Sequence, residues 1–121
     1  MPKESFLKNR IKSVGYAFKG LFLLLKTESS IKIQFFIALL VTGAGFYYNI
    51  SSTEWMVQLL AIGMVMGIEG LNTAVEKISD YIQPKKDPKI GFIKDISAGA
   101  VMIVSIVASI IGLIIYLPKM V

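Results

Sequence analysis

Long uncharged stretches dominate the pattern of hydrophobic and polar positions in this chain. Twenty-one uncharged residues separate Lys32 from Glu54, and twenty-three separate Asp95 from Lys119. Because about 20 apolar residues are needed to cross a bilayer as a helix, each stretch predicts a spanning helix. Only fourteen uncharged residues lie between Glu54 and Glu69. A further spanning helix must therefore continue past Glu69 and carry acidic side chains to the membrane boundary.

The same pattern divides the chain, taken as one domain over residues 1–121, into four helices. A surface helix is predicted over residues 1–28, and spanning helices over 31–49, 54–82 and 92–117. Pro84 and Pro88 are expected to end the second spanning helix, and Pro118 lies just beyond the third, because proline disrupts a helix interior. The predicted fold is an all-α membrane protein.

Residues 4–26 carry two stripes at helical spacing. The apolar stripe consists of Leu7, Ile11, Val14, Phe18, Phe22 and Leu25. The basic stripe, about 100° away around the helix, consists of Lys8, Lys12, Lys19 and Lys26. Such a pattern is typical of a helix lying in the membrane interface. An amphipathic helix packed on protein would show the same pattern.

Composition narrows the possible chemistry. The chain is 55% hydrophobic, carries a net charge of +5, and contains neither cysteine nor histidine. Disulfides, thiolate metal sites and imidazole bases are therefore excluded. The basic residues lie beside the membrane segments, so nucleic acid is not an expected partner. We expect no cleaved secretory signal.

The basic residues also predict an orientation. Seven lysines and arginines lie from Lys3 to Lys32 and four from Lys85 to Lys94, but none from Asn49 to Thr53. By the positive-inside rule, the N-terminus and the 83–94 loop are expected to face the cytoplasm and the C-terminus the outside.

Small residues of the second spanning helix form a stripe suited to close helix packing: Gly63, Gly67, Gly70 and Ala74.

Four polar residues share one face of the second spanning helix. Glu69, Asn72, Glu76 and Asp80 lie at offsets 0, 3, 7 and 11, within roughly 80° of arc. Carboxylates in line repel one another unless cations neutralise them, and oxygen ligands favour Mg²⁺ or Mn²⁺. The alternative is a network within the helix, with Glu76 paired to Lys77 or Asp80 and Glu69 to Asn72.

Three further charged residues are expected at the depth of Glu76. Glu28 lies between the surface helix and the first spanning helix, and Lys94 and Asp95 are expected to begin the third, near a helix N-terminus that favours phosphate. Alternatively, Glu28 and Asp95 are helix caps and Lys94 is a positive-inside residue.

The polar face of the second spanning helix and these three residues together resemble the parts of a phosphoryl-transfer site, but neither P-loop nor protein-kinase motifs are present. An ion or proton pathway remains an alternative.

Two segments resemble the prokaryotic diacylglycerol kinase family, which includes undecaprenol kinases. Residues 69–76 with Asp80 and residues 94–101 are similar to the family signature ExxNTAxE…D…KDxxAGAV, and residues 15–21 with Glu28 are similar to its opening segment. The similarity covers essentially the whole chain. A histidine that the family often carries before the third helix is missing here, so the adenine contacts are not carried over.

The resemblance implies a homotrimeric lipid kinase of the bacterial inner membrane, with a surface helix, three spanning helices per chain and active sites shared between chains. It implies ATP as phosphate donor and Mg²⁺, or Mn²⁺ in its place, held by Glu28 and Glu76. The catalytic residues implied are Glu69, as general base, with Asn72, Asp80, Lys94 and Asp95. The nucleotide contacts implied are Lys12, Tyr16, Lys19, Glu28, Glu76, Lys94 and Asp95. Glu69 and Ser97 would contact the lipid, for which diacylglycerol is the first expectation and undecaprenol the alternative.

Overall fold

Four helices make up the part of the chain that the structure describes. A computed structural model describes residues 3–121, with side chains from Ser5 onward, so Met1 and Pro2 of the predicted surface helix lie outside the described residues. The helices are α1 (Lys3–Thr27), α2 (Ser29–Tyr47), α3 (Ser52–Ile82) and α4 (Pro88–Met120). Helices α2, α3 and α4 are each long and apolar enough to cross a membrane. The all-helical prediction with three spanning helices is confirmed.

Helix α4 begins at Pro88, four residues before the predicted start. The Asp87 side chain accepts hydrogen bonds from the backbone N–H groups of Lys89 and Ile90, at 2.9 and 3.3 Å. Proline is well tolerated at the first helical position, where its missing N–H has no helical partner. Helix α3 ends at Ile82 before the two prolines, as predicted, but the predicted start of α4 was too late, because Pro88 is itself a good helix start.

Helix α3 ends at Ile82, as predicted, and α1 ends one residue early at Thr27, whereas the remaining described boundaries differ by two or three residues from those predicted. Helix α2 begins directly after Glu28 and ends at Tyr47. Helix α3 begins two residues early because Ser51 and Glu54 form a reciprocal capping box. Helix α4 continues through Pro118 to Met120, and Lys119 in its last turn pairs with Glu54 at 2.9 Å.

A tight turn joins α2 to α3. Asn49 adopts a positive φ of 51°, and the Ile50 N–H donates to the Gly45 carbonyl at 3.1 Å. A Cβ atom on Gly45 would lie 2.7 Å from the Trp55 ring. The turn therefore depends on the lack of a side chain at Gly45. We call this end of the bundle the turn end, and the end that holds the α3–α4 connection the loop end.

Helices α2 and α4 both pack on α3, and α1 contacts α2. Near the loop end, α1 also approaches α3, where a Cβ atom on Gly70 would lie 3.2 Å from the Leu24 side chain. No atom lies within 4 Å of the corresponding positions at Gly63 and Gly67. Within one chain, close packing at the predicted glycine stripe is therefore confined to Gly70.

The described residues bury little apolar surface. Only Ile31, Ile50 and Ile115 are buried hydrophobic side chains in residues 5–121, and large apolar side chains of all four helices are exposed. Such a surface is incompatible with water and requires lipid or further protein around it. This chain is a membrane protein.

A polar network lies at the turn end. Gln58 is buried at 3% exposure, and its side-chain oxygen accepts a hydrogen bond from the Tyr116 hydroxyl. That hydroxyl also lies 3.1 Å from the Val41 carbonyl oxygen. These contacts join α2, α3 and α4 through groups that would otherwise be unsatisfied in an apolar environment.

Candidate functional site

The polar face of α3 changes from buried to exposed toward the loop end. Glu69 is buried, with 7% of its surface exposed, and Asn72 is half-buried, whereas Glu76 and Asp80 are exposed. Asp80 lies eleven positions after Glu69 in the helix, a rise of about 16 Å. The face therefore connects an enclosed carboxyl group to an open end where a large polar ligand has room.

Asn72 and Glu76 form the central pair of this face. The Asn72 Nδ2 group donates to Glu76 Oε1 at 3.2 Å, so the alternative pairing of Glu69 with Asn72 is not the one that forms. Asn72 Oδ1 is buried and has no hydrogen-bond partner. An orphaned amide oxygen beside a carboxylate supplies the hard oxygen ligands that Mg²⁺ prefers. This pair therefore fits a divalent metal.

Glu28 lies at the N-terminus of α2 and faces α3. Glu28 occupies the N-cap position of α2, as the helix-cap interpretation expected, but its side chain makes no capping hydrogen bond. The carboxylate instead lies 3.4 Å from Lys77 Nζ, because α2 and α3 are antiparallel neighbours joined by a short turn. Since Lys77 follows Glu76 directly, this contact brings Glu28 to the turn of α3 that carries Glu76.

Lys94 and Asp80 connect α4 to the same region. The Lys94 ammonium lies 2.5 Å from Asp80 Oδ1. Because α4 begins at Pro88, Lys94 and Asp95 lie about two turns inside the helix, and Asp87 caps its N-terminus. The expectations that Lys94 lies at a helix N-terminus and that Asp95 could be a cap were both wrong. Asp95 is exposed and Ser97 is half-buried.

The residues predicted on α1 are not part of this arrangement within one chain. Lys12, Tyr16 and Lys19 are exposed, and no hydrogen bond or ion pair among the described side chains joins them to the polar face of α3. In the part of the chain that the structure describes, no three acidic side chains lie close enough to hold a metal by themselves. A metal here would need other oxygen ligands, as Mg²⁺ commonly takes from phosphates.

A cleft of about 420 Å³ lies between α2, α3 and α4. Its lining is mainly apolar, and Gln58, Ile62 and Val65 contribute from α3; Glu69 continues the same helical face toward the loop end. Gln34 also lines the cleft, and its side-chain oxygen is buried without a hydrogen-bond partner. The sequence reasoning missed Gln34, although a single glutamine inside an apolar span is a recognisable signal. It also missed the cap at Asp87.

Comparisons with known proteins cover nearly the whole chain. A family model described as prokaryotic diacylglycerol kinase matches residues 15–116. An undecaprenol kinase of Bacillus subtilis is 37% identical over 114 residues, which are 94% of this chain and 93% of that protein. A diacylglycerol kinase of Haemophilus influenzae is 27% identical over 111 residues, 92% of this chain and 94% of that protein. A diacylglycerol kinase of Synechocystis is 30% identical over 113 residues, 93% of this chain and 65% of that protein.

Proposed function

This chain belongs to the prokaryotic diacylglycerol kinase family, and on that premise we propose that it transfers the γ-phosphoryl group of ATP to the primary hydroxyl of a membrane lipid. The observation that carries the proposal is the polar face of α3, where buried Glu69 lies one turn from the Asn72–Glu76 pair. A proton acceptor and a metal-compatible pair thus lie side by side at the boundary between apolar and open surroundings.

We propose a polyprenol such as undecaprenol as the acceptor, ahead of diacylglycerol. The sequence alone placed diacylglycerol first. The order is reversed because the undecaprenol kinase relative is 37% identical, against 27% and 30% for the two diacylglycerol kinases. Both acceptors present a primary hydroxyl at the membrane interface, so the same catalytic groups serve either one.

Glu69 acts as the general base in this proposal. Its carboxylate accepts the proton of the lipid hydroxyl while that oxygen bonds to the γ-phosphorus of ATP. The bond from that phosphorus to the bridging oxygen breaks, and ADP leaves. The apolar cleft is lined by Ile62 and Val65 of α3, which lie on the same helical face as Glu69, and it offers room for the hydrocarbon chain of the lipid. Half-buried Ser97 contributes a hydroxyl on the lipid side.

Glu28 and Glu76 would hold Mg²⁺, with the orphaned Asn72 oxygen as a further ligand. The metal would supply positive charge that offsets the repulsion between these carboxylates and the phosphates of ATP. Glu28 exchanges its contact with Lys77 for this role at little cost, because Lys77 is 73% exposed and such pairs are weak. Lys94 binds phosphate oxygens, Asp80 positions Lys94, and Asp95 organises the nucleotide side.

We further propose a homotrimer with shared active sites, oriented with the N-terminus and the 83–94 loop in the cytoplasm and embedded in the bacterial inner membrane. Three observations support this assembly: the exposed apolar surface, the open positions at Gly63 and Gly67, and the separation of the α1 residues from the polar face. Lys12, Tyr16 and Lys19 then contact the nucleotide bound at a neighbouring chain. Helix α1 lies along the membrane surface.

An ion pathway is a weaker alternative. On α3, no charged side chain lies between Glu54 and Glu69, and Glu54 is paired with Lys119. Proton transfer along the bundle would need a relay through this gap, where Gln58 is already engaged by Tyr116. The family membership favours the kinase.

The deciding experiment measures phosphate transfer from labelled magnesium-ATP by the purified full chain in mixed micelles. Undecaprenol and dioleoylglycerol are offered in parallel, and kcat/KM is compared. We expect transfer to both, with undecaprenol preferred. Preference for dioleoylglycerol would overturn the acceptor assignment alone, whereas no transfer to either by folded protein would overturn the kinase proposal.

A further inference from the structure

The basic stripe of α1 is the charged surface that the proposed reaction leaves partly unused. It consists of Lys8, Lys12, Lys19 and Lys26, all exposed. At 100° per residue these lysines fall within about 40° of arc, and they extend over about 27 Å of helix. Lys12 and Lys19 were assigned to the nucleotide above. Lys8 and Lys26, at the two ends of the stripe, have no role in that assignment.

The stripe has no acidic counterpart within the described side chains. The ion pairs of residues 5–121 use Lys77, Lys94 and Lys119, and none of them involves α1. Arg10, on the opposite side of α1, lies over the Phe6 ring at 5.6 Å from its centre. Among the side chains of residues 5–121 no acid pairs with the stripe, so its positive charge is available to an external anion.

The apolar stripe of α1 identifies the source of that anion. Leu7, Ile11, Val14, Phe18 and Phe22 are between 56% and 73% exposed, about 100° from the lysines around the helix. An exposed apolar face of this kind inserts into the boundary between headgroups and acyl chains. Lysines at the edge of such a face extend to the phosphate level while their methylene groups stay in apolar surroundings.

We propose that the two ends of the basic stripe, Lys8 and Lys26, dock the headgroups of anionic phospholipids, which therefore gather around this protein in preference to zwitterionic lipids, while Lys12 and Lys19 keep their proposed nucleotide role. Lysines clustered on an amphipathic helix are the usual means of such recognition. The two terminal lysines make the stripe long enough to contact several headgroups at once. This inference does not depend on the proposed kinase activity, because lipid selectivity is measured without ATP.

The test compares spin-labelled phosphatidylglycerol with spin-labelled phosphatidylcholine around the full chain reconstituted in phosphatidylcholine bilayers. The fraction of each probe immobilised by the protein gives a selectivity ratio. We expect a selectivity ratio above 1 for the wild type. The ratio should approach 1 in 1 M salt, because salt at that concentration screens the attraction between charges that are more than about 3 Å apart. Lys8→Gln/Lys26→Gln should lower the ratio about twofold to fivefold.

Two control variants distinguish a local effect of the stripe from a general effect of net charge. Lys8→Arg/Lys26→Arg keeps the charge and should keep the wild-type ratio. Arg10→Gln/Lys32→Gln removes the same charge outside the stripe and should leave the ratio nearly unchanged. An equal loss in this second control would overturn the stripe as the site, because net charge alone would then account for the selectivity.

A nucleotide role is the remaining competitor for Lys8 and Lys26. If Lys8→Gln/Lys26→Gln raises the KM for magnesium-ATP while the lipid ratio stays at the wild-type value, the stripe serves the nucleotide and the proposal is wrong. If the wild type shows no lipid selectivity at low salt, it is also wrong. Unchanged KM for magnesium-ATP with a reduced lipid ratio supports it.

Discussion

The Lys94 ammonium lies 2.5 Å from the Asp80 carboxylate, and this contact joins α4 to the loop end of α3. The pair is partly exposed, so it adds little to stability. The main effect of the pair is to position Lys94, because it holds this flexible side chain beside the polar face that carries Asn72 and Glu76. A lysine held in this way is available to phosphate oxygens without a further loss of side-chain freedom.

Asp80→Asn should therefore reduce activity more than stability. We expect kcat/KM for magnesium-ATP to fall about tenfold, because the Lys94 cation would no longer be held in position. The unfolding midpoint should stay near that of the wild type. Lys119→Gln breaks a similar pair at the turn end and serves as the control, with kcat/KM unchanged. Equal activity of Asp80→Asn and the wild type would contradict the positioning role.

Glu69→Gln should remove the proton acceptor while keeping the shape of the buried side chain. We expect kcat to fall about 10²-fold to 10⁴-fold, the usual contribution of a positioned base. Affinity for magnesium-ATP should remain within about twofold, because the role proposed for Glu69 involves the lipid hydroxyl and not the nucleotide. Steady-state kinetics and binding of a fluorescent ATP analogue separate the two effects. A nucleotide-binding defect as large as the kcat defect would argue against the base role.

Glu76→Gln should weaken metal binding, because an amide replaces the charged oxygen ligand beside Asn72. With Mn²⁺ in place of Mg²⁺, electron paramagnetic resonance counts bound metal directly in the presence of a non-hydrolysable ATP analogue. We expect bound Mn²⁺ to fall at least about tenfold, as for loss of a metal ligand. Glu54→Gln, at the turn end, is the matched control and should bind Mn²⁺ normally. Normal binding by Glu76→Gln would remove Glu76 from the metal site.

Gly45→Ala should destabilise the fold, since its Cβ atom would lie 2.7 Å from the Trp55 ring. Overpacking of this kind costs about 1–3 kcal/mol. Gly43→Ala, two residues away in the same helix with no atom near the new Cβ position, should be neutral or stabilising by up to about 1 kcal/mol. Unfolding of both variants in detergent tests the contrast, and equal stability would show that the Trp55 contact is readily relieved.

Tyr116→Phe should destabilise the turn end without changing kcat. It removes the hydroxyl that bonds to Gln58 and to the Val41 carbonyl, and it leaves buried Gln58 with fewer partners. Such a loss costs about 1–3 kcal/mol. The double variant Gln58→Leu/Tyr116→Phe removes both polar groups, so it should recover part of that stability. A double variant less stable than either single one would contradict the assignment of this loss to the unsatisfied Gln58 amide.

The sequence predicted the elements well because hydrophobic length and polar periodicity are local properties. Three spanning helices and the burial of Glu69 relative to Asp80 followed from spacing alone. Pairings across helices could not be predicted in the same way. Lys77 has Glu28 as its partner rather than Glu76, and Asp80 has Lys94, because these choices depend on how α2 and α4 lie against α3. The start of α4 at Pro88 was missed for another reason, since proline both ends and begins helices.

The length of helix α2 affects how the protein responds to the thickness of its membrane. Its 19 residues amount to about 28 Å, close to the hydrocarbon thickness of a bilayer, whereas α3 with 31 residues extends about 46 Å. The shortest spanning helix thus fixes the vertical position of the bundle, and the longer helices carry the polar face beyond it. Hydrophobic mismatch moves the headgroup plane relative to Glu69. In the reaction proposed for this chain, acyl-chain length in the surrounding lipids would therefore set how well the substrate hydroxyl aligns with this carboxylate, and membrane thickness would become a determinant of turnover.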